Sequence, residues 1–408
     1  MEAVPPRNTR PGKATMRNSR RATISDVAAA SGVGVGTVSR VINGASNVRQ
    51  ATRVHVLKVI DQLGYRPSHL AAALSRGTQR SVAIVVPHLT RPSVVERLAG
   101  ALAVLDAEGY DTVVCNADSP ARRDSFLARL TSKDRTDGVI IMSLPISQPQ
   151  LAAVRRASIP LVAVDVTLRG VPHTVIDDTA GGRLATEHLL SLGHKRIGFV
   201  GDLVRRMTKS TFGFTASERR LAGYRHALAA AGLAQCQSLV RLGPYGAANA
   251  EALTTELLAL PEPPTAIFTS SDTQAMGVLA AADRMGLRVP DELSVVGFDD
   301  IELAALIGLT TVRQPLEQSG VEGARRLSAL LRGEQVTPLR QVLDLQVVQR
   351  NTSTHPRPAR QAGSGRAVAA EGIAAAERHY RADGRGMPRA GCVASGHRAG
   401  LAQLRRRT

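Results

Sequence analysis

The sequence predicts an α/β protein in two parts: an N-terminal all-α helix-turn-helix headpiece, then a larger doubly wound parallel-sheet domain. Three observations carry that reading. Residues 23–63 hold three helical segments, the first two separated by a glycine turn. From Ser81 onward, short apolar runs alternate with helical stretches, as βα units around a parallel sheet require. The excess positive charge is confined to the headpiece and the two ends of the chain.

In the run Thr23-Ile24-Ser25-Asp26-Val27-Ala28-Ala29-Ala30-Ser31-Gly32, Ser25 is a good N-cap, because its hydroxyl can accept from a free backbone N–H. Val27, Ala28 and Ser31 give this helix a small apolar face, and Gly32 can take the left-handed conformation that ends a helix. A second helix runs from about Val35, with Val38, Val41 and Ile42 at i, i+3, i+4 spacing. Such a pair forms a helix-turn-helix, whose second helix can lie in the major groove of DNA. A third helix is expected up to Leu63. The spacing Gly32-x-Gly34-x-Gly36-Thr37 is not a phosphate loop, since it follows a helix rather than a strand and no lysine follows it.

Seven strands are expected in the larger part. They fall at Val82–Val86, Asp111–Asn116, Gly138–Met142, Leu161–Asp165, Ile197–Gly201, Ala266–Thr269 and Leu293–Gly297. The first, Val82–Val86, is a short apolar run ending at Pro87, as a buried parallel strand should be. About 270 residues suffice for two lobes of this kind. Ligands of such sheets bind beyond the carboxyl ends of the strands, so candidate residues stand just after each run.

The chain has 408 residues, enough for two or three domains. It has no run of eighteen apolar residues, and its basic start lacks the apolar stretch of a secretory signal. No membrane association is expected. Cys115, Cys236 and Cys392 are far apart, which suits a reducing cytoplasm and argues against a disulfide framework or a zinc site. Residues 1–22 carry a net charge of +5, residues 23–80 +5, residues 81–355 zero and residues 356–408 +8. A basic headpiece suits a polyanion such as DNA. The ends at 1–22 and 356–408 are rich in Arg, Ala, Gly and Pro and read as disordered basic tails.

The stretch from Thr23 to Asn43, continuing through Asn47-Val48-Arg49-Gln50-Ala51-Thr52-Arg53 and Gly64-Tyr65-Arg66-Pro67-Ser68, resembles the DNA-binding headpiece of the lactose-repressor (LacI/GalR) family of bacterial regulators. Leu70-Ala71-Ala72-Ala73-Leu74-Ser75-Arg76-Gly77 resembles the family's hinge helix. With the domain that follows, the resemblance covers about residues 23–355. It implies a headpiece at 23–67, a hinge and linker at 68–80, and a two-lobed, periplasmic-binding-protein-like effector and dimerisation domain at 81–355. It further implies a transcriptional regulator, a homodimeric repressor on a palindromic operator in double-stranded DNA, controlled by a small carbohydrate in the cleft between the lobes. No enzyme activity, cofactor or metal is expected.

The same resemblance supplies roles. Arg40 is the candidate base reader, since arginine bonds bidentately to guanine. Thr23, Thr37, Ser39, Asn43, Asn47, Arg49 and Thr52 are candidate DNA contacts, most of them to phosphates that set register. Two positions that usually carry specificity side chains fall on Val35 and Gly36, which predicts weak direct readout there and more reliance on DNA shape. Leu74 is the expected minor-groove wedge, with Ser68 and Ala71 lining the same groove. In the cleft, Asp165, Arg220 and Asp299 align with effector-holding residues, and Ser93, Val94, Ser271, Asp272 and Tyr245 are further candidates. The first cleft loop departs from the family: Arg91-Pro92-Ser93-Val94 lacks its usual aromatics. Phe212 and Phe214 are expected to replace those faces, and Arg91 leaves room for an acidic or phosphorylated ligand.

Three rival readings stand beside this one. An enzyme is disfavoured by the absence of a nucleophile elbow, a metal-spaced His pair or a Walker motif, and His188 and His194 are expected merely to satisfy carbonyls at a helix end. A periplasmic solute-binding protein would share the larger domain but not the headpiece. A non-specific DNA-binding protein with a vestigial cleft would rely on the basic tails.

Overall fold

The computed structural model describes residues 22–42, 44–65, 80–130, 136–203 and 212–356. The headpiece consists of α1 (Ile24–Ser31), α2 (Val35–Ile42) and α3 (Gln50–Gln62). Thr23, not Ser25, caps α1. Its hydroxyl accepts from the Asp26 N–H at 3.3 Å and donates to the Asp26 carboxylate at 2.7 Å, while the Thr23 N–H donates to the same carboxylate at 2.8 Å. Asp26 three residues on completes this reciprocal box, an arrangement Ser25 cannot make from inside the helix. Gly32 ends the helix at φ 63°, its N–H returning to the Ala28 carbonyl. Val27, Val38 and Val56 are wholly buried, with Val41, Val59 and Tyr65 around them.

The larger domain has two sheets. In the first lobe the order is β11-β5-β4-β3-β1-β2 and in the second β12-β10-β9-β8-β6-β7. The strands are β1 (Ser81–Val86), β2 (Asp111–Asn116), β3 (Gly138–Met142), β4 (Leu161–Val164), β5 (His173–Val175), β6 (Ile197–Asp202), β7 (Val240–Gly243), β8 (Ala266–Thr269), β9 (Ser294–Asp299), β10 (Thr310–Arg313), β11 (Arg340–Val342) and β12 (Gln346–Val348). All pairings are parallel except β12 against β10, which is antiparallel. The wholly parallel expectation is corrected at that edge, where a short connection from β11 reaches the second sheet directly. The chain crosses between lobes after β5, after β10 and after β11, so neither lobe is continuous in sequence.

Helix pairs bring the cleft residues into place. In the first lobe α4 (Pro92–Ala107) packs on α12 (Leu316–Leu331). A Cβ on Gly100 would stand 2.1 Å from the Glu317 carbonyl oxygen, and one on Gly320 1.9 Å from that of Arg97. In the second lobe α7 (Asp178–Ser191) packs on α8 (Ala216–Ala230) in the same way. Gly182 lies under the Arg220 carbonyl and Gly223 under that of Thr179, each leaving a Cβ only 2.0 Å away. Only glycine permits such backbone approach, and the approach sets the depth of Arg97 and Arg220. α9 (Ala247–Leu258) and α10 (Asp272–Arg284) cover the other face of the second sheet, and α11 (Glu302–Leu306) follows β9.

His188 and His194 do not satisfy the end of α7. His188 Nε2 lies 3.0 Å from the Ser353 hydroxyl, and the His194 ring spans the Thr265 and Ser294 hydroxyls and the Thr354 carbonyl at 2.8–3.0 Å. It is His355 that meets the helix end, with Nδ1 2.8 Å from the Leu192 carbonyl. These bonds moor the segment after β12 to the second lobe. No helix among the described residues is long and apolar enough to cross a membrane.

Gly182→Val forces α7 and α8 apart at Arg220. The substitution is expected to destabilise the domain by about 1–3 kcal/mol, the usual range for overpacking, and to lower its melting temperature accordingly.

Candidate functional site

On the headpiece, α2 turns Val38 and Val41 into the core and leaves Val35, Gly36 and Arg40 outside. Val35 is 45 % exposed, and a Cβ on Gly36 would meet nothing within 4 Å, so this end of the helix presents a bare surface. Arg40 Nε donates to the Gly36 carbonyl at 3.1 Å, which lays the guanidinium stem along that same outward face. Thr37, Ser39 and Thr52 are half-buried, whereas Thr23, Asn47 and Arg49 are exposed. The Thr23 hydroxyl already serves the α1 cap. Asn43, Ser68, Ala71 and Leu74 lie outside the described residues, as do residues 66–79, where the hinge helix was expected, and residues 1–21 and 357–408.

In the larger domain a cavity of about 670 Å³ opens between the lobes, beyond the carboxyl ends of both sets of strands. Asp165, Arg220, Asp299, Ser271, Tyr245, Ser93 and Val94 all line it, although they come from six separate stretches of chain. Asp272 does not: it is fully buried and turned away, accepting from the Thr311 hydroxyl at 2.6 Å and the Ile301 N–H at 3.0 Å. Ser271 caps α10, accepting from the Gln274 N–H at 3.3 Å.

The floor of the cavity is a chain of buried charges. Asp165 follows β4 at φ 59° and accepts from the Ser143 hydroxyl at 2.8 Å and pairs with Arg97 at 3.0 Å. Arg97 is 3 % exposed and donates to the Gln314 carboxamide oxygen at 2.7 Å. The Gln314 amide in turn donates to Asp299, which stands at φ 119° at the end of β9. Asp299 lies 3.5 Å from Arg220 Nη1, and Arg220 Nε donates to Asp178 at 2.9 Å. Arg220 also covers the Phe298 ring at 3.7 Å, a cation–π contact within a desolvated pocket.

Burial raises the pKa of Asp299 to about 6; Arg220, Arg97 and the Gln314 bond offset it in part, and Asp165 pushes it further up. Burial likewise raises Asp178 and Asp202. For Arg220 burial opposes the charge, but Asp178 and Asp299 outweigh it and the pKa moves up. Arg220 therefore stays charged while Asp178, Asp202 and Asp299 hold protons more readily than usual. Such a set of mixed donors and acceptors can bond to adjacent hydroxyls of a polyol.

Around the rim, Phe212 and Phe214 do reach the cavity, with different duties. Phe212 belongs to the second-lobe chain between β6 and α8, yet it is buried in the first lobe's core beside Leu127, Ile146 and Leu168. Phe214 is half-buried, 5.2 Å from Phe212 between ring centres, and offers the freer face. Tyr245, expected to stack on a ligand, has one face covered by the Arg91 guanidinium at 4.0 Å, and its hydroxyl donates to Thr273 at 2.9 Å.

Sequence reasoning missed Arg97, Asp178, Asp202 and Gln314. Asp202 ends the apolar run Ile197–Gly201 and was open to the same strand-end rule that found Asp165. Arg97 interrupts the apolar stripe Val94, Leu98, Ala101, and a lone charge in such a stripe signals a buried partner.

A carboxylate whose pKa is raised on folding binds more protons in the folded than in the unfolded chain between its two values, so it costs stability as pH rises through that interval. For Asp299 the interval runs from 3.8 to about 6. Asp299→Asn is expected to flatten the fall in melting temperature across that interval, as read by thermal denaturation at a series of pH values.

Comparison with known proteins agrees with this architecture. Residues 23–68 match the profile of bacterial regulatory proteins, lacI family, and residues 186–353 match that of a periplasmic binding protein-like domain. The chain is 34 % identical over 351 residues to the HTH-type transcriptional regulator CelR of Thermobifida fusca, covering 83 % of this chain and 100 % of that one. Among solved structures it is similar to a CelR–cellobiose complex, at 32 % identity and TM-score 0.60, covering 82 % of this chain and 100 % of the other. It is also similar to a lac repressor dimer bound to operator and the anti-inducer ONPF, at 28 % identity and TM-score 0.70, with the same coverage. The headpiece, the two parallel-sheet lobes and these relatives together place the chain in the LacI family of bacterial DNA-binding transcriptional regulators.

Proposed function

We propose that this protein is a cytoplasmic, homodimeric repressor that binds a palindromic operator and is released from it, or held on it, by a sugar in the interlobe cleft. The observation that carries the effector half is the floor of the cavity, where Asp165, Asp299 and Arg220 converge from both lobes with hydrogen-bonding capacity suited to adjacent hydroxyls. A similar protein, CelR, is seen with cellobiose, which supports a carbohydrate. Each sign of control needs only that the sugar prefer one arrangement of the lobes.

For the DNA half, Arg40 reads a base, and Thr23, Thr37, Ser39, Asn43, Asn47, Arg49 and Thr52 hold the backbone. The hinge residues Ser68, Ala71 and Leu74 enter the minor groove, where an apolar wedge costs a few kcal/mol of unstacking repaid by a bent, better-contacted duplex. Val35 and Gly36 add little base discrimination, because a bare helix end has no donor to offer.

A dimer follows from the two-fold symmetry of operators, and the surface supports it. Leu306 is 77 % exposed, with Leu303 and Ile307 beside it on and after α11, and Val95 and Leu102 are exposed on α4. The two helices meet across the lobes, Glu302 N–H donating to Glu96 at 3.0 Å.

Selection of operators from random DNA with the full chain is expected to return a palindrome whose preference is strong at the Arg40 position and weak at the positions facing Val35 and Gly36. Arg40→Ala should cost about 1–3 kcal/mol, roughly five- to 150-fold in affinity, and relax the selected sequence. No consensus and no response to sugars would favour non-specific binding driven by the basic tails. Leu306→Glu is expected to shift the protein to monomer in sedimentation and to weaken operator binding with it.

A further inference from the structure

We propose that the effector carries a carboxylate or phosphate group, and that Arg91 is the residue that selects it. The proposal rests on the cleft being the effector site and adds the charge of the ligand.

Every carboxylate in the wall is engaged: Asp165 by Arg97 and Ser143, Asp178 by Arg220, Asp299 by Gln314 and Arg220, and Asp202 by the Gln274 amide at 2.9 Å. Arg97 and Arg220 are spoken for by the same bonds. Arg91 is different. It lines the cavity and is half-buried, yet among the described residues its guanidinium makes no hydrogen bond and no ion pair. Its partners are ring faces, Tyr245 at 4.0 Å and Phe214 at 5.7 Å.

No described residue takes up the five N–H donors of the Arg91 guanidinium, and lying over an aromatic ring does not spend them. A donor fork on the cavity wall beside an aromatic ring is suited to a planar or tetrahedral anion, which it can grip bidentately. Asp202 is near enough to feel Arg91 electrostatically but makes no ion pair with it. His88, the other titratable neighbour, is neutral or cationic and so cannot neutralise the arginine; burial and then Arg91 lower its pKa. Arg219, exposed on the same wall, adds a second positive charge. The cavity thus has a floor suited to hydroxyls and a rim suited to an anion. A sugar acid or a sugar phosphate matches both ends, whereas a neutral sugar leaves the Arg91 fork facing nothing.

The competing role for Arg91 is a latch. It stands on the first lobe and Tyr245 on the second, so their stacking would hold the lobes together whatever the ligand. The two roles separate by charge. Binding of matched probes to the full chain is measured by calorimetry at constant ionic strength: D-glucose and D-galactose, their uronates, and their 6-phosphates. At least one acid should bind about tenfold or more tighter than its neutral parent, the usual scale for a charge-assisted bond. In Arg91→Gln the preference should collapse to within about threefold, and Arg91→Lys should keep part of it. The uronate and phosphate arms identify which anion is meant. Neutral sugars binding as tightly as their acids, a preference that survives in Arg91→Gln, or an equal loss for all probes would each overturn the proposal, the last in favour of the latch. Should no probe bind, and should Arg220→Met leave operator control unchanged, the effector reading of the cleft fails and this proposal falls with it.

Discussion

The larger domain depends on one buried thread of polar bonds, Asp165–Arg97–Gln314–Asp299–Arg220–Asp178. Asp165 and Arg97 belong to the first lobe and Asp299, Arg220 and Asp178 to the second. Gln314 sits on the crossover between them. Charges this deep survive only when paired, and removing one member of a buried pair typically costs about 3–5 kcal/mol because its partner is left stranded. The thread therefore does more than decorate a pocket. It ties the depth of each helix to the angle between the lobes, and the glycines at 100, 182, 223 and 320 exist in service of that depth. A ligand that bonds to any member perturbs all of them, which is the physical basis on which a small molecule can bias the arrangement of two lobes.

Backbone strain marks the same place. Ser143, Asp165, Asp299 and Asp300 all hold positive φ at the ends of strands, a conformation that side-chain-bearing residues ordinarily avoid. Each is held by bonds of its own or its neighbour's side chain, as Asp165 is by Arg97 and Ser143 and Asp300 is by Arg350 at 2.7 Å. Strain that is over-determined by its surroundings clusters where a fold has been shaped for a purpose other than stability.

Most of the architecture was legible because burial on both faces writes a strand as an unbroken apolar run. Val82–Val86, Gly138–Met142 and Ala266–Thr269 could be read directly. The strands that escaped, β5, β7, β10, β11 and β12, are three or four residues long and carry His, Thr, Arg or Gln, so no periodicity separates them from loop. The cap of α1 was misread by two residues because Ser25 and Thr23 are chemically alike and only the partner Asp26 decides between them. In the cleft, strand-end carboxylates were legible from position alone. Arg97 and Gln314 were not, since their roles depend on contacts across more than two hundred residues of chain.

The three crossings between lobes also bear on how the chain is made. Helix α12, which seals Val164, Ile140 and Leu98 against solvent, and strand β11, which completes the first sheet, are synthesised only after all of the second lobe but β12 and the segment that follows it. On the ribosome, the first half of the domain must wait with an apolar flank uncovered while some hundred and forty residues emerge, Asp178 to Pro315. The molecule cannot finish one lobe and then begin the other. Its two halves become native together, and in the meantime the nascent chain is a natural client for chaperones, as half-built multidomain intermediates are.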